Sequence, residues 1–180
     1  MEAEAESAGE RLAQILDDGV RHEYTVILQY LYHSFVAEDC EEREELMNAA
    51  INEMQHMGWI AESLQEEGTQ PGFVHDALFQ SRDPVANLEA DLAVEDEVTH
   101  TYSSQIPELA SAELRTLLER VRDHEIYHAD VFRALLREAQ ERLAASQAQQ
   151  DAAGACDAGQ QPPPPGAPPV PPIGSLKKKR

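Results

Sequence analysis

Cysteine is nearly missing from this 180-residue chain: Cys40 and Cys156 are the only two. Two thiols cannot build a disulfide framework or a four-cysteine metal site, and neither is placed to favour a soft metal. Aromatic residues make up only 6% of the chain, and no apolar run approaches the length that spans a bilayer. Basic residues are scarce as well: 14 stand against 34 acidic ones, and the last four residues, Lys177 to Arg180, account for four of them. The formal net charge of −20 repels nucleic acid and anionic lipid and attracts cations, so neither nucleic acid nor membrane is an expected partner. The opening Met-Glu-Ala-Glu-Ala-Glu lacks the basic and apolar regions of a secretory signal. A reducing, cytoplasmic setting is expected.

Proline is withheld from the body of the chain. Only Pro71, Pro84 and Pro107 precede residue 162. Residues 1–9 read as a disordered lead-in, and residues 10–145 as four amphipathic helices. The first runs from about Glu10 to Glu38, its stripe formed by Leu12, Ile15, Leu16, Val20, Ile27, Leu31 and Phe35 with Glu23 and Tyr30 among them. Asp39 to Arg43 connects it to a second helix, about Glu44 to Glu67, whose inner face carries Leu46, Ala50, Glu53, His56, Ile60 and Leu64 and which Gly68 ends. Residues 69–83 have no period and are long for a hairpin turn, so they read as a crossover that leaves the second and third helices parallel. Asp83-Pro84 opens the third helix, with Leu88, Leu92, Glu95, Val98, Thr99 and Tyr102 inward, and Pro107 closes it. Ser111 caps the fourth, which carries Leu114, Leu118, Val121, Glu125, His128, Phe132, Leu135 and Leu136. The expected fold is all-α: two helical hairpins joined by a long crossover.

One pattern occurs twice in this body. Glu23, Tyr30, Glu53 and His56 recur as Glu95, Tyr102, Glu125 and His128, each displaced by 72 residues. A Glu-x-x-His pair lies on one face of a helix. Counting the 1.5 Å rise per residue from each turn brings all four glutamates to a similar height. Four ionised carboxylates in an apolar bundle would repel one another at a heavy desolvation cost. Two divalent cations cancel that charge, and oxygen and imidazole donors suit Fe(II), with Mn(II) as the alternative.

After Ser146 the composition changes. Residues 146–172 read as a disordered linker with eight prolines between Pro162 and Pro172, and residues 173–180 as a short peptide held away from the body.

On HEYTVILQYLYH, INEMQH, DLAVEDEV and RDHEIYH, residues 10–145 resemble the ferritin-like di-iron proteins, most of all bacterioferritin. The resemblance implies a ferroxidase that oxidises Fe(II) with O2 or H2O2 for iron storage, working as a homo-oligomer. Its two iron ions per subunit would have Glu23 and Glu95 as terminal ligands, Glu53 and Glu125 as bridging ligands, and one of His56 and His128 each. Tyr30 matches the tyrosine beside the di-iron centre, whereas Tyr102 is assigned to core packing. Met54 matches the methionine that holds haem b between two bacterioferritin subunits. Rubrerythrins, which reduce peroxide, typically carry a further carboxylate where this chain has Val98, and commonly a four-cysteine iron domain that it cannot build. Asn48 and Asn52 stand where bacterioferritins often place His and Asp on the iron access route. His33 and His100 read as partly buried packing rather than secondary iron sites. Ile173-Gly174-Ser175-Leu176-Lys177 resembles the peptide by which cargo docks inside encapsulin shells, which implies an encapsulin nanocompartment as the location.

Overall fold

The computed structural model describes the backbone of residues 2–157 and the side chains of residues 9–149. Four helices account for most of it: α1 (Glu2–Val36), α2 (Cys40–Glu66), α3 (Pro84–Gln105) and α4 (Ala112–Asp157). A 3-10 turn, Ile106–Glu108, joins α3 to α4 at Pro107. The chain divides into two compact units, Met1–Arg142, which holds the four-helix bundle, and Leu143–Arg180.

The helix boundaries follow from local chemistry. Asp39, in an extended conformation, accepts from the backbone N–H of Glu41 and Glu42 and starts α2. That start falls at Cys40, four residues before the sequence-based estimate, because the acidic first turn complements the helix dipole. Gly68 ends α2 with a φ of +81°, a conformation that favours glycine. Asp83 accepts from Val85 N with Pro84 in the first turn of α3, and the Ser111 hydroxyl accepts from Leu114 N at the start of α4. Two further boundaries differ from expectation. Helix α1 begins at Glu2, within the stretch read as a lead-in, and α4 runs on to Asp157, past Ala145. Both extensions are rich in alanine and other good helix formers with no internal proline. The proline run and the peptide 173–180 lie outside the described residues.

Side-chain pairs fix the topology. Gly19 faces Ile60 across α1 and α2, and Glu23 faces His56, so these helices are antiparallel. His33–Asp91, Tyr30–Glu95 and Arg11–Glu108 step in opposite directions along α1 and the α3 end of the bundle. Helices α2 and α3 both oppose α1 and are therefore parallel, as the crossover requires. The crossover lies along α1 as a strap: Gly72 N donates to Asp17, Asp76 N to Thr25, and Phe79 N to Gln29.

The interior has three layers. One apolar cluster includes Leu16, Val20, Ile60, Leu64, Val98, Leu118 and Val121. The other includes Val26, Leu46, Ala50, Leu88, Phe132 and Leu135. Buried glutamates and histidines of all four helices fill the level between them. Phe35, expected on the inner stripe, is 72% exposed: Ser34 and Ala37 on either side of it are buried, so Phe35 lies on the outward side of the last turn of α1.

Candidate metal centre

Glu23, Glu53, His56, Glu95, Glu125 and His128 are all buried, and the fold brings all six together. They form two quartets, Glu23–Glu53–His56–Glu125 and Glu53–Glu95–Glu125–His128, each with one donor atom per residue within 4.8 Å of the others. The histidines organise the quartets. His56 Nδ1 lies 2.6 Å from Glu53 Oε2, 3.1 Å from Glu125 Oε1 and 3.7 Å from Glu23 Oε2. His128 Nδ1 lies 2.6 Å from Glu53 Oε1, 3.5 Å from Glu125 Oε2 and 3.6 Å from Glu95 Oε1. Glu53 and Glu125 thus turn one oxygen to each quartet. Helical pitch explains why: residues three apart on α2 and α4 share the inward face, and antiparallel packing sets the two pairs against each other.

The donor set fits divalent cations. Glu23 Oε2, Glu53 Oε1, Glu125 Oε1 and His128 Nδ1 are buried without a hydrogen bond. His128 Nδ1 and Glu53 Oε1 approach to 2.6 Å without forming a hydrogen bond. Without metal, protons carry the compensating charge. Burial, with repulsion from Glu23 and Glu95, pushes Glu53 up to about 7 against the pull of His128 and His56. Burial likewise pushes Glu95 up to about 8, with the Glu125 charge adding to it. Burial alone would lower the imidazoles, but the surrounding carboxylates override it and push His56 and His128 up to about 12. Metal ions and protons therefore compete for these atoms.

A second ring of side chains holds the first. Tyr30 donates to Glu95 Oε1 at 2.5 Å, and Tyr102 donates to Glu23 Oε1. Burial and then the adjacent glutamate raise both phenols well above their ordinary value, so they remain donors. Tyr102 is thus not simple core packing: the antiparallel pairing of α1 with α3 aims each tyrosine at the glutamate of the other half. His56 Nε2 lies 2.8 Å from His124 Nδ1, and His128 Nε2 lies 3.3 Å from Asn52 Nδ2. Desolvation, followed by the His56 charge, lowers His124. Arg120 stacks over Trp59 at 4.2 Å, beside His56 and His124.

His124 and Asp91 were not singled out from the sequence. The signal for His124 is its 72-residue offset from Asn52, which repeats the offset of the ligands themselves. Asp91 is buried with His33, whose Nδ1 lies 2.7 Å from Asp91 Oδ2 and whose Nε2 lies 2.9 Å from the Phe79 carbonyl. His33 is therefore wholly buried, tying the crossover to α1 and α3, whereas His100 is exposed on α3. Neither is partly buried packing, because α3 turns Asp91 inward to His33 and leaves His100 outward. Met54 is 47% exposed on the outer face of α2. Residues 173–177 lie outside the described residues.

Fold and site together define a four-helix bundle whose buried carboxylates and imidazoles can hold two metal ions. A ferritin-like domain model matches residues 13–142, and the chain belongs to that family. Among solved structures, a bacterioferritin from Desulfovibrio desulfuricans superposes with a TM-score of 0.71 at 20% identity, covering 76% of this chain and 84% of that one. A mycobacterial bacterioferritin gives 0.69 at 25% identity, covering 77% and 91%. KatB, a manganese catalase from Anabaena PCC7120, gives 0.67 at 22% identity, covering 73% of each chain. No curated protein sequence matches the chain. Among the described residues, no helix is long and apolar enough to cross a membrane.

Proposed function

We propose that this chain is a ferroxidase for iron storage or detoxification that works as encapsulin cargo. The observation that carries the reading is that Glu53 and Glu125 each turn one oxygen to one quartet and the other oxygen to the second, an arrangement that would hold two Fe(II) ions side by side as substrate. Two adjacent Fe(II) ions give up one electron each, and one O2 takes both with two protons to form H2O2. Paired delivery avoids release of a one-electron radical. Glu23 and His56 hold one ion, Glu95 and His128 the other, and Tyr102 and Tyr30 keep the terminal glutamates turned inward. The apolar clusters on either side limit water at this level.

The tail supports the cargo reading by composition: a proline-rich spacer, then Ile173-Gly174-Ser175-Leu176-Lys177 for the shell. Exposed Met54 on α2 leaves room for haem b, which a second copy of the chain would have to complete. The likeness to a manganese catalase favours a second reading, a peroxide-consuming two-metal oxidase. Anaerobic Fe(II) titration followed by O2 tests the first. Two Fe(II) bound per chain and one O2 consumed per pair are expected. Binding well below two, or no oxidation, overturns it, and faster turnover of H2O2 than of Fe(II) supports the second reading.

A further inference from the structure

The two halves of the centre match in their carboxylates, imidazoles and phenols, but not in the groups behind the two histidines. Glutamates, histidines and tyrosines correspond across the 72-residue offset; Asn52 and His124 occupy corresponding positions and differ. Each touches the far ring nitrogen of the opposite half's histidine, His124 on His56 at 2.8 Å and Asn52 on His128 at 3.3 Å. We propose that this difference makes the two metal positions unequal: His124 is a positioning residue that gives the Glu23–His56 position the tighter hold on a divalent cation, and the Glu95–His128 position fills second. The inference rests on the two-metal reading of the site.

The reasoning is chemical. A cation at Nδ1 of either histidine leaves the ring proton on Nε2, which needs an acceptor. The ring nitrogen Nδ1 of His124 is a basic acceptor at close range, fixing the tautomer and orientation of His56 and increasing its electron donation to a metal. Asn52 must turn its amide to present the weaker acceptor Oδ1, and it does so from farther away. The phenols and carboxylates of the two positions do not offset this. Tyr102 on Glu23 is matched by Tyr30 on Glu95, and the bridging glutamates serve both positions. Trp59, beside both His56 and His124 and covered by Arg120, further limits the rotation of that pair. Partners of this kind change metal affinity by about 10–100-fold.

The test is an anaerobic titration of the full chain with Co(II), which needs no oxidation chemistry, read by visible absorption and calorimetry. Two binding steps are expected in the unsubstituted protein, separated by about 10–100-fold in affinity. His124→Asn should weaken the tighter step by about tenfold or more and merge the two, whereas Asn52→His should strengthen the weaker one. Circular dichroism of each variant establishes that the bundle is folded. In crystals grown with one equivalent of Co(II), anomalous scattering should concentrate at the Glu23–His56 position. Two equal steps in the unsubstituted protein, equal weakening of both steps in His124→Asn, or density concentrated at Glu95–His128 would each overturn the proposal while leaving the two-metal site standing. Failure to bind two Co(II), or retention of both ions in Glu53→Ala, would instead remove the site reading, and this proposal with it.

Discussion

The hydroxyl of Tyr102 on α3 donates to the carboxylate of Glu23 on α1, 79 residues away in sequence. Its repeat partner Tyr30 donates to Glu95 across 65 residues. Each half of the duplicated chain therefore supports the carboxylate of the other. Neither hairpin completes its share of the centre alone.

Tyr30→Phe and Tyr102→Phe should each destabilise the metal-free bundle by about 1–3 kcal/mol, since each leaves a buried carboxylate oxygen without its donor. Urea denaturation measures this. The two costs should be similar, because the two contacts correspond; a loss confined to Tyr30 would contradict the reciprocal arrangement.

Glu53→Ala and Glu125→Ala should each abolish paired metal binding, because each side chain belongs to both quartets. Glu23→Ala and Glu95→Ala remove a donor from one quartet and should spare one ion. Iron oxidation should fall by about 10²-fold or more in the bridging variants, the scale set by misplacing a reacting atom. Iron per chain after anaerobic loading separates the two classes.

The metal-free protein should lose thermal stability as pH rises from about 5 to about 9. Glu53 and Glu95, raised chiefly by burial from 4.5 to about 7 and about 8, keep protons that the unfolded chain has released. Their unfavourable contribution grows above 4.5 and is complete only above those values. His56 and His128, which burial lowers but carboxylates lift to about 12, stabilise the fold fully below 6.5 and lose that contribution as pH climbs toward 12. All four shifts make the native state bind more protons than the unfolded chain, so the slope is negative. Added Mn(II) should flatten it by replacing those protons; a Tm that rises with pH in the metal-free protein would contradict the assignment.

His33→Leu should cost about 3 kcal/mol by leaving Asp91 buried beside Gln29 alone. It should also speed amide exchange around Phe79, whose carbonyl loses the His33 donor. Unchanged exchange there would show that the Phe79 N–H bond to Gln29 secures this end of the crossover without His33.

Deleting residues 173–180 should prevent packaging in a co-expressed encapsulin shell and leave iron oxidation by the purified chain unchanged. Native gels of shells with and without the peptide report on it. Equal packaging would refute the docking role.

Much of the architecture was legible because it rests on periodicity and local caps. Asp83-Pro84, Ser111 and Gly68 act within a few residues of themselves, and the Glu-x-x-His spacing places both groups on one helical face whatever packs against it. The 72-residue repeat likewise pairs the glutamates whatever the packing. What stayed hidden depends on which helix faces which. Tyr102 read as packing, since nothing within α3 indicates that antiparallel α1 carries Glu23 to its hydroxyl. Asp91 and His33 meet only because the strap and α3 close around α1. His124 sat unnoticed beside Glu125 until α2 brought His56 against it. Sequence by itself determined the donors and their phase along each helix, because pitch is a local property of the backbone. Tertiary structure alone decided which oxygen serves which quartet and what stands behind each histidine, because those depend on side chains from separate helices meeting in one buried layer.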